Sequence, residues 1–237
     1  MSGLPEGTLY RFKVKAYRKI GGETYYSKYS KRLQLRTKKQ KTKKVSTIKK
    51  YLKSAIQPLG KVVYVWGGGW STDGLGGSTE ARSMGVSKKW TRFFNAQTKD
   101  YNYINTQYQR HDGLDCSGYV GWTIYNIMNT KSGNNGYVMS AKDMARNYAS
   151  RGWGKYIKRA SVKDYKPGDI MSSACSDCGH VWIVIGECKD GSVVALHSSS
   201  SQGVQLSGTV APDGRTKSEA AELAQKYMEQ YFPKWSE

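Results

Sequence analysis

The chain has 237 residues, 38% of them hydrophobic, and a formal net charge of +20. That length suits one ordinary domain with an appendage, and no apolar run is long enough to span a bilayer. Four cysteines are too few for a disulfide-built scaffold. The charge is unevenly placed: residues 1–57 hold 17 Lys/Arg against 2 Asp/Glu, while residues 58–237 hold 21 against 16. A basic field of that kind concentrates polyanions and weakens with salt. Nucleic acid, anionic membrane and anionic cell-wall polymer are the partner classes it admits, beside a merely solvated surface. No nucleic-acid-binding motif is visible. No secretory signal is visible either, and the first residues read as the middle of a domain, so the chain is expected to be cut from a longer one.

Tyr10, Phe12, Val14 and Ala16 alternate with Arg11, Lys13, Lys15 and Tyr17, the period of a half-buried strand. Gly21-Gly22 predicts a turn, and Tyr25 to Leu35 a returning strand. A lone hairpin is marginal in water. Residues 38–45 include Lys-Lys-Gln-Lys-Thr-Lys-Lys, a basic linker by composition. Ile48, Tyr51, Leu52, Ala55 and Ile56 then recur at helical spacing and stop before Pro58 and Gly60, which predicts a helix over 46–57.

Val62 to Trp66 reads as a short apolar strand running into Gly67-Gly68-Gly69. Residues 70–114 are polar, aromatic and without clear period. So long a stretch between motifs predicts an insertion or a substrate-facing lobe. Cys116, Val120, Ile124 and Ile127 share a helical face. Ser140 with Asp143, and Met139 with Met144, predict a helix over 141–150 through a capping box and a hydrophobic staple. Strands follow at about 169–173, 180–187, 192–198 and 203–209, then an amphipathic helix from Glu219 to Phe232. Helices first and antiparallel strands after them make an α+β architecture.

Cys116 stands at a predicted helix start, where unpaired N–H groups and the helix dipole favour thiolate and can serve an oxyanion. A buried core cysteine is the plain alternative. If the loop before the third strand is Cys188 to Gly191, Glu187 pairs with Ser192. His197 then lies opposite Trp182, as the diagonal neighbour of His180 on the same face. A tight Asp190-Gly191 turn would set His197 opposite Val184 instead. His111 reads as a surface residue. Cys175 and Cys178 are spaced C-x-x-C, which suits a metal, a redox pair or a small disulfide. With no second such pair, zinc is not expected, and neither is another metal or a cofactor.

Several pieces in this order resemble the NlpC-type cell-wall peptidases of the papain-like cysteine peptidase superfamily. They are Tyr64-Val65-Trp66-Gly67-Gly68, Asp115-Cys116-Ser117-Gly118-Tyr119-Val120, Pro167-Gly168-Asp169 and Gly179-His180-Val181. The resemblance covers residues 46–237 and implies that fold, with helices on an antiparallel sheet or half-barrel. It implies Cys116 as nucleophile, His180 as general base, His197 as the residue orienting the imidazole, and Tyr64 with its hydroxyl near the reacting carbonyl. Asp115 and Ser117 match positions that hold the free amine of a peptidoglycan stem peptide, though Asp115 also reads as an ordinary N-cap. Residues 1–37 resemble the last third of a fibronectin type III domain, through Gly3 to Tyr10 (a tyrosine corner), Tyr26-Ser27-x-x-Ser30 and Arg36-Thr37.

The resemblance implies a secreted or wall-associated hydrolase of an amide in the stem, between D-glutamate and the diamino acid. An amidase, a protein-directed cysteine protease and a wall-binding module with incidental activity are the other readings of the same residues. The family runs quickly from Trp-Gly-Gly to Asp-Cys-Ser-Gly, whereas about 45 residues intervene here.

Overall fold

The computed structural model describes residues 8–37, 47–128, 136–174, 179–215 and 217–230. It divides into two units, Met1–Val45 and Ser46–Glu237.

The first unit is an antiparallel ribbon. β1 (Leu9–Phe12) pairs with β4 (Leu33–Arg36), and β2 (Tyr17–Ile20) with β3 (Glu23–Tyr26). Gly21 and Gly22 turn the chain at φ +59° and +88°, where glycine carries no steric penalty. Between the paired segments, Ser27 N–H donates to the Ala16 carbonyl at 2.9 Å and Ser30 N–H to Val14 at 2.7 Å. The ribbon therefore continues where the regular ladder lapses. Alternation does not produce a buried face in this unit, since Leu9, Val14, Tyr17, Ile20, Tyr25, Tyr26, Leu33 and Leu35 are all exposed.

The second unit is mixed α+β. α1 (Thr47–Ile56), α2 (Lys88–Ala96), α3 (Cys116–Met128) and α4 (Ala141–Ser150) precede β5 (Ile170–Ser173), β6 (His180–Glu187), β7 (Val193–Ser199), β8 (Gly203–Gly208) and α5 (Glu219–Met228). The four strands form one antiparallel sheet in the order β5-β6-β7-β8. α3 packs on β6 and β7, α4 on β5 and β6, α5 on β8 and β7, and α1 against α3. Residues Cys116 to Ile124 of α3 are buried on every side, as a central helix requires. Tyr119, Val120 and Trp122 join Val181, Ile183 and Leu196 in one core.

Three expectations are corrected. Val62 to Trp66 is not a regular strand. Val62 to Val65 is buried chain outside any strand, and Trp66 is an exposed turn residue. The backbone pairs on two sides, Leu114 N–H donating to Val63 and Val204 N–H to Val62, at 3.2 and 3.0 Å. Glu187 pairs with Val193, not Ser192. An irregularity between Val184 and Gly186 absorbs one residue, so beyond it Ile183 faces Leu196, and that register continued sets Trp182 against His197. α4 begins at Ala141 after Ser140, but the Ser140 side chain makes no capping hydrogen bond.

The start of α3 is fixed by backbone against backbone. Asp115 N–H donates to the Gly68 carbonyl at 2.9 Å, and a Cβ on Gly118 would collide with Gly68 O and approach Gly69 Cα to 3.1 Å. Only a residue without a side chain permits that approach. Gly118→Ala should therefore cost about 2–3 kcal/mol, a fall in Tm of roughly 4–12 °C for a domain of this size. Thermal unfolding measures it, and an unchanged Tm would contradict the packing described.

Candidate active site

α3 presents Cys116 as its first residue. Asp115 closes the helix end: Gly118 N–H and the Ser117 hydroxyl both donate to its Oδ1, at 2.7 and 2.8 Å. The Trp70 indole N–H donates to Ser117 Oγ at 2.9 Å, which ties the inserted segment to the helix. Ser198 on β7 donates to the Leu114 carbonyl at 2.7 Å, and Tyr119 donates to Ala55 of α1 at 2.7 Å. The helix tip is thus held from the sheet, from α1 and from the insertion.

The sheet supplies the imidazoles. His180 opens β6, and its Nε2 lies 2.6 Å from Nδ1 of His197 on β7. The rings meet edge to face, 4.9 Å between centroids and 80° between planes. His197 Nε2 lies 2.6 Å from Ser207 Oγ on β8. Trp182 sits edge-on to His180 at 4.6 Å. For His180 to act as a base, Nε2–H donates to His197 Nδ1 and His197 Nε2–H donates to Ser207. Nδ1 of His180 is then the nitrogen left to receive a proton.

Cys116 and His180 line one cleft of about 650 Å³, with Tyr64, Asp115, Ser117 and Gly179. The Cys116 thiol donates to the Gly179 carbonyl at 3.9 Å, one residue before the imidazole. The Tyr64 ring lies edge-on to Tyr103 at 5.3 Å, and its carbonyl accepts from the Tyr101 hydroxyl at 2.6 Å. All six residues singled out in the sequence are therefore gathered here, five along the cleft and His197 directly behind His180.

Burial sets the resting protonation. It pushes the Cys116 thiol up to about 12, helped by the Asp115 carboxylate; the N–H groups of Val181, Ser117 and Cys116 pull the other way without prevailing. Burial also lowers His180 to about 4, and lowers His197 to about 3 together with the neighbouring His180. The expectation of a standing thiolate at the helix tip is thus corrected: desolvation outweighs the helix N–H groups. The resting pair is thiol and neutral imidazole. Asp115 is raised to about 6 by burial, against the hydrogen bonds from Gly118 and Ser117. Tyr64 is raised, chiefly by burial, and stays a hydroxyl donor.

Sequence reading missed part of the site. Ser207 stands opposite Ala195, two residues from the position opposite His197, so period-two alternation would have found it. Trp70, Tyr103 and Arg110 line the cleft from the insertion, where no period marks them. α2, within the stretch read as aperiodic, was missed as well; its signal was Ser87 as a cap, with Trp90 and Phe94 buried at helical spacing. His111 is half-exposed and lies 3.0 Å from Glu80. Cys175 and Cys178 lie outside the described residues, and Cys188 is a free cysteine. Among the described residues no group of three or more His, Cys, Asp or Glu could hold a metal, and no helix is long and apolar enough to cross a membrane.

Nitrogen-15 NMR should show both imidazoles neutral down to about pH 4 in the folded protein. Ser207→Ala should mix the tautomers of His197, and Ser207→Thr should restore one. Rings that titrate near the ordinary 6.5, indifferent to Ser207→Ala, would contradict the hydrogen-bond chain.

Compared with known proteins, the chain matches no family model, no curated protein and no solved structure.

Proposed function

We propose that the second unit is a papain-like cysteine peptidase of the NlpC type, a secreted or wall-associated enzyme that cleaves an amide in the peptidoglycan stem. One observation carries this reading: a thiol at a helix tip and an imidazole backed by two further polar groups open onto a single cleft. That is the arrangement acyl transfer by a thiol requires.

Substrate binding brings the carbonyl carbon to Cys116 Sγ. His180 Nδ1 takes the thiol proton as sulfur attacks, so charge appears only as the new bond forms. The Cys116 N–H and the Tyr64 hydroxyl donate to the oxyanion. His180 returns the proton to the leaving nitrogen, and the C–N bond breaks to give a thioester and a free amine. Water, deprotonated by His180, then attacks the thioester and releases the acid and the thiol. His197 and Ser207 act through His180: they hold its ring and its tautomer. Asp115 and Ser117 would receive the free amine of the acyl half, which points to D-glutamyl–diamino acid as the bond. No step calls for a metal or a cofactor.

The basic ribbon supports retention on an anionic wall polymer. Residues 8–37 carry nine Lys/Arg and one acid, and Lys15 Nζ lies 3.9 Å from the Tyr26 ring centroid. An amidase or protein-directed protease would use the same groups, and only the products separate these readings.

Digestion of purified peptidoglycan, with mass spectrometry of the soluble products, decides. New amines should appear on the diamino acid, and Cys116→Ala or His180→Ala should each lower the rate by roughly three orders of magnitude or more. Release by Cys116→Ala at the parental rate would end the proposal. Pelleted from the same suspension, the protein should leave the wall as salt rises.

A further inference from the structure

The 70–114 insertion supplies one wall of the cleft, and that wall carries a positive charge that no carboxylate among the described residues pairs. Trp70, Gly74, Tyr103 and Arg110 of the insertion line the cleft beside Trp66, which is 51% exposed. Arg110 is half-buried. Its side chain lies along the backbone of Gly67, which has φ +70°, and a Cβ there would come within 3.0 Å of the guanidinium Nε. Glycine at 67 therefore leaves the room that Arg110 fills.

The carboxylates near Arg110 are engaged elsewhere. Asp112 pairs with Lys89 at 3.2 Å, and Glu80 with His111 at 3.0 Å. Asp115 takes Gly118 N–H and the Ser117 hydroxyl, and Arg110 is not among the groups that shift it. Among the described residues no carboxylate forms an ion pair with Arg110. Among the described residues it is the one lysine or arginine lining this cleft. A guanidinium is planar, always charged, and forked to match a carboxylate bidentately. Flanking aromatic rings lower the local dielectric and strengthen such a bond.

We propose that Arg110 recognises a free carboxylate on the substrate, so that the cleft selects a carboxylate-bearing stem peptide over its carboxamide. This rests on the stem-peptide reading and narrows it: the glutamyl α-carboxyl must be free rather than amidated. Arg110 acts in recognition, since the proton transfers belong to Cys116 and His180.

The test uses the full chain carrying Cys116→Ala, which binds without turnover. Calorimetry compares L-alanyl-γ-D-glutamyl-diamino acid, its glutamyl α-carboxylate free, with the same peptide as the α-carboxamide. The free acid should bind roughly 10- to 100-fold more tightly, the range of a charged hydrogen-bonded contact. Adding Arg110→Gln should erase the preference, and Arg110→Lys should keep only part of it. Equal binding of the two peptides, or a preference that survives Arg110→Gln, would overturn the inference. If Arg110→Gln does not fold, the preference of the Cys116→Ala chain alone decides. Turnover by the wild type separates the two levels. Cleavage of both peptides with equal kcat/KM sinks the role of Arg110 and leaves the stem-peptide reading standing. Cleavage of neither removes both.

Discussion

The hydrogen-bond chain from His180 through His197 to Ser207 runs from the cleft wall inward, with His197 buried and its two neighbours half-buried, and the site follows from that burial. Two imidazoles 2.6 Å apart could not both be charged, and desolvation keeps both neutral. A neutral base needs a fixed tautomer, and Ser207 at the far end supplies the acceptor that fixes it. Burial acts on the other partner in the same sense, holding Cys116 as a thiol. The pair of Cys116 and His180 thus rests uncharged. It would separate charge only when a carbonyl arrives to share it, where the N–H groups around the sulfur are already aimed.

Holding such a pair demands a rigid frame. α3 is buried all round through its first nine residues, and its tip rests on the Gly68–Gly69 backbone with no side chain between. The sheet presents both histidines on adjacent strands. The irregularity between Val184 and Gly186 adjusts the register on the loop side of them, where a strand can absorb an extra residue without disturbing the rings. The insertion is part of this frame as well as a cleft wall, because Trp70 reaches Ser117.

Much of this was legible in the sequence. Four predicted helices and four predicted strands of the second unit fall within a few residues of their places, because each carried strong periodicity or a turn residue at its end. Alternation set His180 beside His197 under one of two loop registers, and the resemblance to the cell-wall peptidases, not spacing, joined Cys116, Tyr64, Asp115 and Ser117 to them. What failed did so for physical reasons. A β-bulge leaves no mark on hydrophobic alternation, so the loop that sets His197 opposite Trp182 gave the wrong partner for Glu187. Val62 to Trp66 is as apolar as a strand, yet its partners are Leu114 and Val204 from separate parts of the chain. Thiolate was expected from the helix tip alone, because a local pattern does not report how dry a site is. Arg110 was passed over for the same reason: tertiary packing, not spacing, gives it its neighbours. Ser207 could have been found by alternation along β8.

The central claim is that Cys116 carries the acyl group. Wild-type protein mixed with a defined stem peptide, quenched in acid and digested, should yield the Cys116-containing fragment heavier by the mass of the acyl half. His180→Ala should prevent that mass from accumulating. Turnover of the peptide with no adduct on Cys116, at a rate indifferent to the loss of His180, would contradict the account.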